Sequence, residues 1–243
     1  MVEKIASEMG GKAPQANQGQ SAASRANEPK RDTFVFDLDG TLLNTLPDLV
    51  ELTNAALREC GFPQHTTEEI KSYVGSGVMA LIRLAVPAEA GEESVERAAT
   101  LWKELYPKYG YSLTKPYAGI EDALSELKKR GAKLAVLSNK YDSAAREVVE
   151  RFFPGVFDSV HGESPDFPRK PDPAGLSKLL AELDSSAQRC VFVGDSSNDM
   201  RVARAVDAFA VGVEWGYNPV SVLEETGADV VIQHPAQLLE FLS

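Results

Sequence analysis

The sequence lacks a long hydrophobic run, an excess of positive charge and any clustering of cysteine. No stretch approaches the roughly 18 apolar residues of a membrane span, so we expect no membrane association. The 25 Lys and Arg residues against 36 Asp and Glu give a net charge of −11, which argues against nucleic acid or an anionic membrane as a partner. Cys60 and Cys190 are isolated from each other in apolar segments. We interpret them as free thiols in a reducing compartment, and we expect a cytoplasmic protein.

The first 31 residues differ in composition from the remainder of the chain. Residues 1–31 contain no aromatic residue, are rich in Gln, Asn, Ser, Ala and Gly, and carry five basic and three acidic residues, which leaves −13 on the rest. They have no apolar core for a secretory signal and little Arg for a transit peptide. We therefore predict a flexible tail over residues 1–31.

From residue 32 onward, strand-like and helix-like segments alternate along the chain. This alternation predicts a doubly wound, Rossmann-like α/β core with a parallel sheet. The predicted helices are Glu121–Arg130, Ser143–Phe152, Ala174–Leu183, Asn198–Val206 and Val220–Glu225. The predicted strands are Thr33–Phe36, Lys133–Leu137, Cys190–Val193, Phe209–Val213 and Val230–Ile232, with Val156–Val160 as a weaker candidate.

One interval near the start contains only helical patterns and no strand pattern. Leu46, Leu49, Leu57 and Cys60 lie on one helical stripe, and further helical patterns continue to Lys108. We predict an all-helical cap domain over residues 45–115. It would be inserted into a catalytic core made of residues 32–44 and 116–243.

The most informative motif is Phe36-Asp37-Leu38-Asp39-Gly40-Thr41-Leu42, which directly follows the first predicted strand. Two acids so close together at the end of a strand repel each other and raise each other's pKa. A bound cation offsets this repulsion, and carboxylate oxygens suit a hard ion such as Mg²⁺. The alternative for an isolated motif of this kind is a polar turn.

Three later segments strengthen the first motif. Ser138-Asn139-Lys140 comes where the second strand is predicted to end. Arg169 and Lys170 lie in a loop stiffened by prolines, and Asp195 and Asp199 lie between a strand and the helix that follows it. Taken singly, these segments also fit a helix N-cap, a solvated basic loop and an Asp-rich cap.

The four segments together predict one metal-assisted anion site. Strands of a parallel sheet point the same way, so residues at their carboxyl ends converge on one edge, where ligands bind in such folds. Four carboxylates, one hydroxyl and one ammonium would meet there. The acids would hold the cation, while Lys170, Ser138 and backbone N–H groups would bind an anion such as phosphate.

In order and type, these segments resemble the four motifs of the haloacid dehalogenase superfamily over roughly residues 32–243. The resemblance implies that Asp37 is a nucleophile that forms an aspartyl phosphate and that Asp39 is its general acid and base. It further implies that Ser138 and Lys170 bind the phosphate, and that Thr41 and Asn139 belong to the substrate site. The implied Mg²⁺ ligands are Asp37, the Asp39 carbonyl, Asp195 and Asp199.

Within that superfamily the chain looks most like the phosphoglycolate phosphatases. Gly75 and Gly77 in the helical insert allow a tight turn, and the helix that begins there, with Arg83, is a candidate for binding a substrate carboxylate. The alternative is a simple interhelical turn with Arg83 in solvent. Trp215-Gly216-Tyr217-Asn218 follows a predicted strand and is a candidate for the entrance to the site.

We therefore predict a Mg²⁺-dependent phosphomonoesterase for a small-molecule phosphate ester such as 2-phosphoglycolate. One alternative is a sugar-phosphate mutase of the β-phosphoglucomutase type, which shares the same core motifs. The other is a non-catalytic regulatory protein that binds phosphate or metal on the same fold. The sequence does not indicate an oligomeric state.

Overall fold

The computed structural model describes residues 30–243, so the predicted tail, except for its last two positions, lies outside the described residues. Arg31 contacts the core: its guanidinium lies 4.0 Å from the centre of the Phe209 ring, and its backbone N–H donates to Ser243 Oγ at 2.8 Å. Six parallel strands form one sheet in the order β5-β4-β1-β6-β7-β8. These strands are β1 Thr33–Phe36, β4 Lys133–Tyr141, β5 Ser159–Glu163, β6 Cys190–Gly194, β7 Phe209–Val213 and β8 Val230–Ile232.

Helices connect the strands and fill the interval between residues 46 and 109. The first four are α1 Leu46–Glu59, α2 Thr67–Tyr73, α3 Val78–Ala85 and α4 Gly91–Tyr109. The remaining five are α5 Ile120–Lys129, α6 Asp142–Phe152, α7 Pro173–Glu182, α8 Ser197–Val206 and α9 Val220–Thr226. Short 3₁₀ helices cover Ala88–Ala90, Ala187–Arg189 and Pro235–Glu240.

The helical interval α1–α4 leaves and rejoins the core through two short paired strands. Strand β2, Leu43–Asn44, pairs in antiparallel register with β3, Lys115–Pro116. Strands of two residues are too short to show a hydrophobic periodicity, so the sequence does not predict this pairing. It brings both chain crossings together at the edge of the sheet that carries the first motif.

Successive side chains of β1 point to opposite faces of the sheet, and a separate hydrophobic cluster covers each face. Phe34 and Phe36 belong to a hydrophobic cluster that continues through α5 and α6 into the helical interval. Val35 faces the opposite way, into a second cluster with α7 and α8. All four residues of β1 are buried, as expected for a central parallel strand covered by helices on both faces.

The structure confirms the parallel α/β core and corrects two of its strands. The weak candidate Val156–Val160 starts later, at Ser159, as β5. Strand β4 does not end at Leu137 but continues to Tyr141, and its register with β5 shifts between Leu137 and Tyr141. Ser138 therefore lies inside an irregular stretch of strand and not after its end.

Cys60 and Cys190 are both free thiols. Among the described residues, no helix combines the length and hydropathy needed for a membrane span.

Candidate active site

The carboxylates that follow β1 and β6 meet where the strand order reverses. From β1 the sheet grows outward through β4 and β5, and the chain then returns to add β6 on the other side of β1. Asp37 follows β1 and its backbone N–H donates to the Val193 carbonyl in β6 at 2.9 Å. Carboxylate oxygens of Asp37, Asp195 and Asp199 lie within 4.8 Å of one another. Such a switch point is where open α/β sheets bind ligands.

Lys170 lies between two of these acids. Its ammonium is 2.8 Å from Asp37 Oδ1 and 2.6 Å from Asp199 Oδ1, and the Lys170 side chain is only 2% exposed. Asn139 fixes the loop that carries it, because the Asn139 amide accepts from the Lys170 backbone N–H at 2.7 Å and donates to the Lys170 carbonyl at 3.1 Å. The loop therefore passes the edge of the sheet that carries Asp37, and Asn139 holds it there.

Burial and mutual repulsion raise the pKa values of Asp37 and Asp195. Burial raises the pKa of Asp37 to about 6, although the neighbouring Lys170 ammonium acts to lower it. Burial, and then the charges of Asp199 and Asp37, raise the pKa of Asp195 well above its usual value. Burial lowers the pKa of Lys170, but the facing carboxylates outweigh this effect and raise it. Lys170 is therefore charged. Its single positive charge does not offset the effect of burial on Asp37, whose pKa stays above the usual value.

The acidic cluster fits a hard cation such as Mg²⁺. Its three buried carboxylates offer oxygen ligands only, which is the donor set that Mg²⁺ prefers. Asp37 Oδ1 is in ionic contact with Lys170, yet this buried atom has no partner of hydrogen-bond geometry in the described part of the chain. A cation at this point would satisfy that oxygen and reduce the repulsion among the acids.

Gly40 allows the first motif to approach Asp195 closely. Its φ of +86° is a left-handed conformation that glycine adopts without strain. A Cβ on Gly40 would lie 2.4 Å from Asp195 Oδ2, so a larger residue would displace the carboxylate. The turn after β1 therefore depends on glycine for both its backbone and its packing.

Asp39 is held in a different environment from Asp37. The ammonium of Lys140 lies 3.0 Å from both oxygens of Asp39, and the Thr45 hydroxyl donates to Asp39 Oδ1 at 2.7 Å. The sequence analysis gave Lys140 no role, although it noted the residue beside Ser138 and Asn139. The one indication of a role for Lys140 was its place near the predicted end of a strand. Its contact with Asp39 depends on how far β4 continues, which the sequence does not show.

The remaining predicted core residues also border this site. The Thr41 hydroxyl donates to Asp195 Oδ1 at 3.1 Å, so Thr41 contacts the acidic cluster. Ser138 and Asn139 line the cleft beside Asp37, and the Ser138 hydroxyl accepts from the Lys140 backbone N–H at 3.3 Å. Asp199 Oδ2 caps its own helix through Ser196, while its Oδ1 contacts Lys170. Asp199 therefore takes part in the predicted helix cap and also lies in the acidic cluster, and its role in catalysis stays a prediction.

The cleft lies between the catalytic edge and the helical interval. One side carries the polar residues described above, and the other side is mostly apolar. Lys140 is the single cationic side chain among the residues that line it, within the 30–243 range described. The lining residues are Asp37, Asp39, Leu49, Val74, Gly75, Gly77, Val78, Leu81, Trp102, Ser138, Asn139 and Lys140.

Gly75 and Gly77 border the cleft, but Arg83 does not. Arg83 is exposed and pairs with Glu92. The expectation that Arg83 faces the substrate is wrong because of the phase of α3: at 100° per residue, Arg83 lies about 200° around the helix from the cleft-lining Leu81. The alternative reading of Arg83 as a solvent-facing residue is correct.

The helical interval contacts the catalytic edge through the Gly75–Gly77 turn. Asn139 Nδ2 donates to the Gly75 carbonyl at 2.8 Å, and Asn198 Nδ2 donates to the same carbonyl at 3.2 Å. The Arg169 guanidinium donates to the Ser76 carbonyl at 2.8 Å. These donors come from strand β4, from the first turn of α8 and from the loop before α7, so the turn rests directly on the site.

The chain matches a known enzyme family over most of its length. A family profile described as haloacid dehalogenase-like hydrolase matches residues 34–213. That range contains every site residue described above, from Asp37 to Asp199.

Curated relatives and solved structures agree with this match. The phosphoglycolate phosphatase of Vibrio cholerae is 33% identical over 216 residues, covering 85% of this chain and 95% of its own. The phosphoglycolate phosphatase of Pseudomonas putida is 31% identical, covering 84% and 77%. The crystal structure of a predicted phosphoglycolate phosphatase from Haemophilus somnus superposes with a TM-score of 0.82 at 26% identity, covering 88% and 98%.

Proposed function

This chain belongs to the haloacid dehalogenase-like hydrolase family and is a phosphatase, and from that premise we propose that it hydrolyses 2-phosphoglycolate, with Mg²⁺, through a phosphorylated Asp37. The observation that carries this proposal is the contrast between the two acids of the first motif. Asp37 lies in the buried acidic cluster beside Lys170, whereas Asp39 faces the cleft beside Lys140. Two carboxylates in two environments suit two different chemical roles.

In the first half of the proposed reaction, an oxygen of Asp37 attacks phosphorus and forms an aspartyl phosphate. Lys170 contacts Asp37 and stabilises the negative charge of the carboxylate and the incoming phosphate. Ser138, in the same cleft, binds phosphate oxygens. Asp39 gives a proton to the departing alkoxide, which leaves as an alcohol.

In the second half, Asp39 takes a proton from water as that water attacks the aspartyl phosphate. This step releases inorganic phosphate and regenerates the Asp37 carboxylate. Lys140 and Thr45 hold Asp39 at the cleft for both steps. Asp37, the Asp39 carbonyl and Asp195, with support from Asp199, would hold Mg²⁺, which would supply positive charge that offsets the carboxylates and the phosphate.

We propose that residues 45–115 act as a cap that restricts the site to small substrates. The Gly75–Gly77 turn lies against Asn139, Asn198 and Arg169, and this contact narrows the cleft. Both crossings of the chain, at β2 and β3, lie next to the first motif. A closed cleft of this kind excludes bulk water and leaves no room for a phosphoprotein.

Recognition of the substrate carboxylate is assigned to the cleft-facing start of α3, at Gly77 and Val78, together with Lys140. Backbone N–H groups at a helix start favour an anion, and Lys140 is the cation on the cleft surface. Arg83 has no part in this assignment.

The proposed substrate is tested by comparing 2-phosphoglycolate with 2-hydroxyethyl phosphate, which has the same chain length but no carboxylate. We expect kcat/KM to be about 10- to 100-fold higher for 2-phosphoglycolate, which is the value of one charged hydrogen bond. Equal values would remove carboxylate recognition and leave the phosphatase assignment intact. With a sugar phosphate as the substrate, formation of the isomerised sugar phosphate without release of inorganic phosphate would instead support the mutase.

Binding of Mg²⁺ is expected to weaken as the pH falls through the pKa of Asp37. Below about pH 6 the metal-free carboxyl holds a proton that the ion must displace. For each proton displaced, the affinity for Mg²⁺ should therefore fall on the order of tenfold for each pH unit below this value. Calorimetric titration with MgCl₂ at about pH 5 and about pH 7.5 measures this difference. Asp37→Asn, which lacks the raised carboxyl, is the control and should show a weaker pH dependence. A Kd that does not change between the two pH values would contradict the assignment of the ion to this cluster.

The same pKa shift affects the stability of the metal-free protein. The pKa of Asp is about 3.9 in an unfolded chain. The pKa of Asp37 in the folded protein is about 6, so the folded state holds this proton more tightly. The stability contributed by Asp37 is therefore complete below the unfolded pKa and is lost as the pH rises through about 6. Accordingly, the increase in Tm caused by Mg²⁺ should be larger at neutral pH than at pH 5.

A further inference from the structure

The loop after β7 contacts the acidic cluster directly and reaches the proposed general acid, Asp39, through Thr45. It contains Trp215, Gly216 and Tyr217, which on sequence alone are candidates for the entrance to the site. The indole N–H of Trp215 donates to the Thr41 carbonyl at 3.0 Å, within the first motif. A Cβ on Gly216 would lie 2.2 Å from the Asp195 Cβ, so the loop backbone packs directly against that side chain. The loop is thus part of the site and not of its entrance.

Tyr217 binds Asp195 through its backbone. Its N–H donates to Asp195 Oδ2 at 2.7 Å, and the Thr41 hydroxyl donates to Asp195 Oδ1 at 3.1 Å. Each oxygen of this buried carboxylate therefore has one donor. Because one of these donors is a backbone amide, replacing the side chain of Tyr217 leaves it in place.

The hydroxyl of Tyr217 reaches the start of α1. It accepts from the backbone N–H groups of Thr45 and Leu46, both at 3.0 Å. The first N–H groups of a helix have no partner within the helix, and Thr45 supplies no side-chain cap here. Tyr217 thus provides the missing acceptor and fixes the first helix of the cap against the core.

The same hydroxyl completes a directed chain of hydrogen bonds to Asp39. The Thr45 and Tyr217 hydroxyl oxygens are 3.1 Å apart, and Thr45 is 2.7 Å from Asp39 Oδ1. A threonine hydroxyl has one proton, and the proton of Thr45 goes to the carboxylate. The proton between the two hydroxyls must therefore come from Tyr217. The chain runs from Tyr217 to Thr45 to Asp39 Oδ1. The other oxygen, Oδ2, contacts Lys140 at 3.0 Å but lies outside this chain, and we assign to it the exchange of a proton with substrate.

We infer that Tyr217 is a positioning residue of this phosphatase, which orients Asp39 through Thr45 and holds Asp195 by its backbone N–H. The inference rests on the proposed role of Asp39 as general acid. A phenol is neutral at ordinary working pH, so the Tyr217 hydroxyl keeps the proton that it donates. Tyr217 is not among the residues that line the cleft, and it acts through these two acids.

The test uses Tyr217→Phe with two esters that differ in their need for an acid. An alkyl phosphate such as ethyl phosphate expels an alkoxide that must be protonated, whereas p-nitrophenyl phosphate expels a stable phenolate. Because kcat/KM covers the steps up to transfer of phosphate to Asp37, it isolates the first half of the reaction. We expect a loss of about 10- to 100-fold on ethyl phosphate and less than about threefold on the aryl ester. The Mg²⁺ Kd should stay within about twofold, since the backbone donor to Asp195 remains.

Several variants separate a positioning role from a merely structural one. Thr45→Val breaks the same chain at its middle and should reproduce the selective loss, whereas Thr45→Ser keeps the hydroxyl and should restore the parent ratio of the two substrates. The double variant Tyr217→Phe/Thr45→Val should lose no more than the larger single loss, because both changes break one chain. Tyr109→Phe removes a tyrosine hydroxyl outside the cleft and is the matched control. If Tyr217→Phe does not fold, the Thr45 pair carries the test alone.

Equal losses on both esters, no loss on either, or multiplied losses in the double variant would overturn the inference. Asp39→Asn separates this failure from failure of the proposed function. If Asp39→Asn shows the selective loss on ethyl phosphate and Tyr217→Phe does not, only the inference fails. If Asp39→Asn itself lacks that selectivity, the proposed role of Asp39 fails and the inference fails with it.

Discussion

Asp37→Asn is expected to lower kcat by about 10³-fold or more while leaving the fold intact. An amide oxygen does not serve as the nucleophile, so no aspartyl phosphate forms, yet the side chain keeps its size. The change also removes an acid whose charge raises the pKa of the neighbouring Asp195. The Tm of the metal-free variant at neutral pH should therefore equal or exceed that of the parent.

Steady-state release of phosphate from 2-phosphoglycolate and from p-nitrophenyl phosphate measures this loss. Asp166→Asn is a matched control, because the side chain of Asp166 is 83% exposed and pairs with Lys178 at the surface. It should retain activity within about twofold, as surface changes rarely affect a distant site. Activity of Asp37→Asn within tenfold of the parent would refute the nucleophile assignment.

Asp39→Asn and Asp195→Asn are expected to lose activity in different ways. Asp39 faces Lys140 and Thr45, outside the group of three carboxylates that can hold a cation. Its proposed contact with Mg²⁺ is a backbone carbonyl, which the substitution preserves. Asp39→Asn should thus cut turnover about 10²- to 10⁴-fold, the usual contribution of a general acid and base, while keeping Mg²⁺ affinity close to that of the parent.

Asp195→Asn should instead weaken Mg²⁺ binding strongly, because Asp195 contributes a charged oxygen at the centre of the cluster. Titration of both variants with MgCl₂, followed by assays at saturating Mg²⁺, separates the two effects. Part of the activity of Asp195→Asn should return at high Mg²⁺, and none of the activity of Asp39→Asn should return. If the two variants lose metal affinity equally, the division of roles between Asp39 and Asp195 is wrong.

The sequence predicts the acidic cluster because it depends on topology alone. Asp37 and Asp195 follow strands of one parallel sheet, and such residues converge whatever the details of packing. Apart from Thr33, the short runs that form β1 and β6 contain no polar side chain, as in a sheet covered on both faces, and this pattern is local. Lys170 follows from the same argument, since its loop has to pass the same edge.

Other features depend on geometry that no local pattern specifies. The contact of Lys140 with Asp39 requires β4 to continue beyond Leu137 with an irregular register. The misassignment of Arg83 follows from the phase of α3, which is set by the packing of Leu81, Ile82 and Ala85. Tyr217 meets Thr45 across 172 positions of sequence, a separation at which one sequence gives no pairing signal.

The most direct test of the central claim is to trap the phosphorylated enzyme. The parent enzyme with Mg²⁺ is mixed with 2-phosphoglycolate, quenched in acid within the first turnover, digested and analysed by mass spectrometry. The mechanism predicts one phosphoryl group per chain, carried by Asp37, absent from Asp37→Asn and lost from the parent once substrate is exhausted. Release of phosphate in the first turnover without any phosphorylated Asp37, or with the phosphoryl group on another residue, would contradict it.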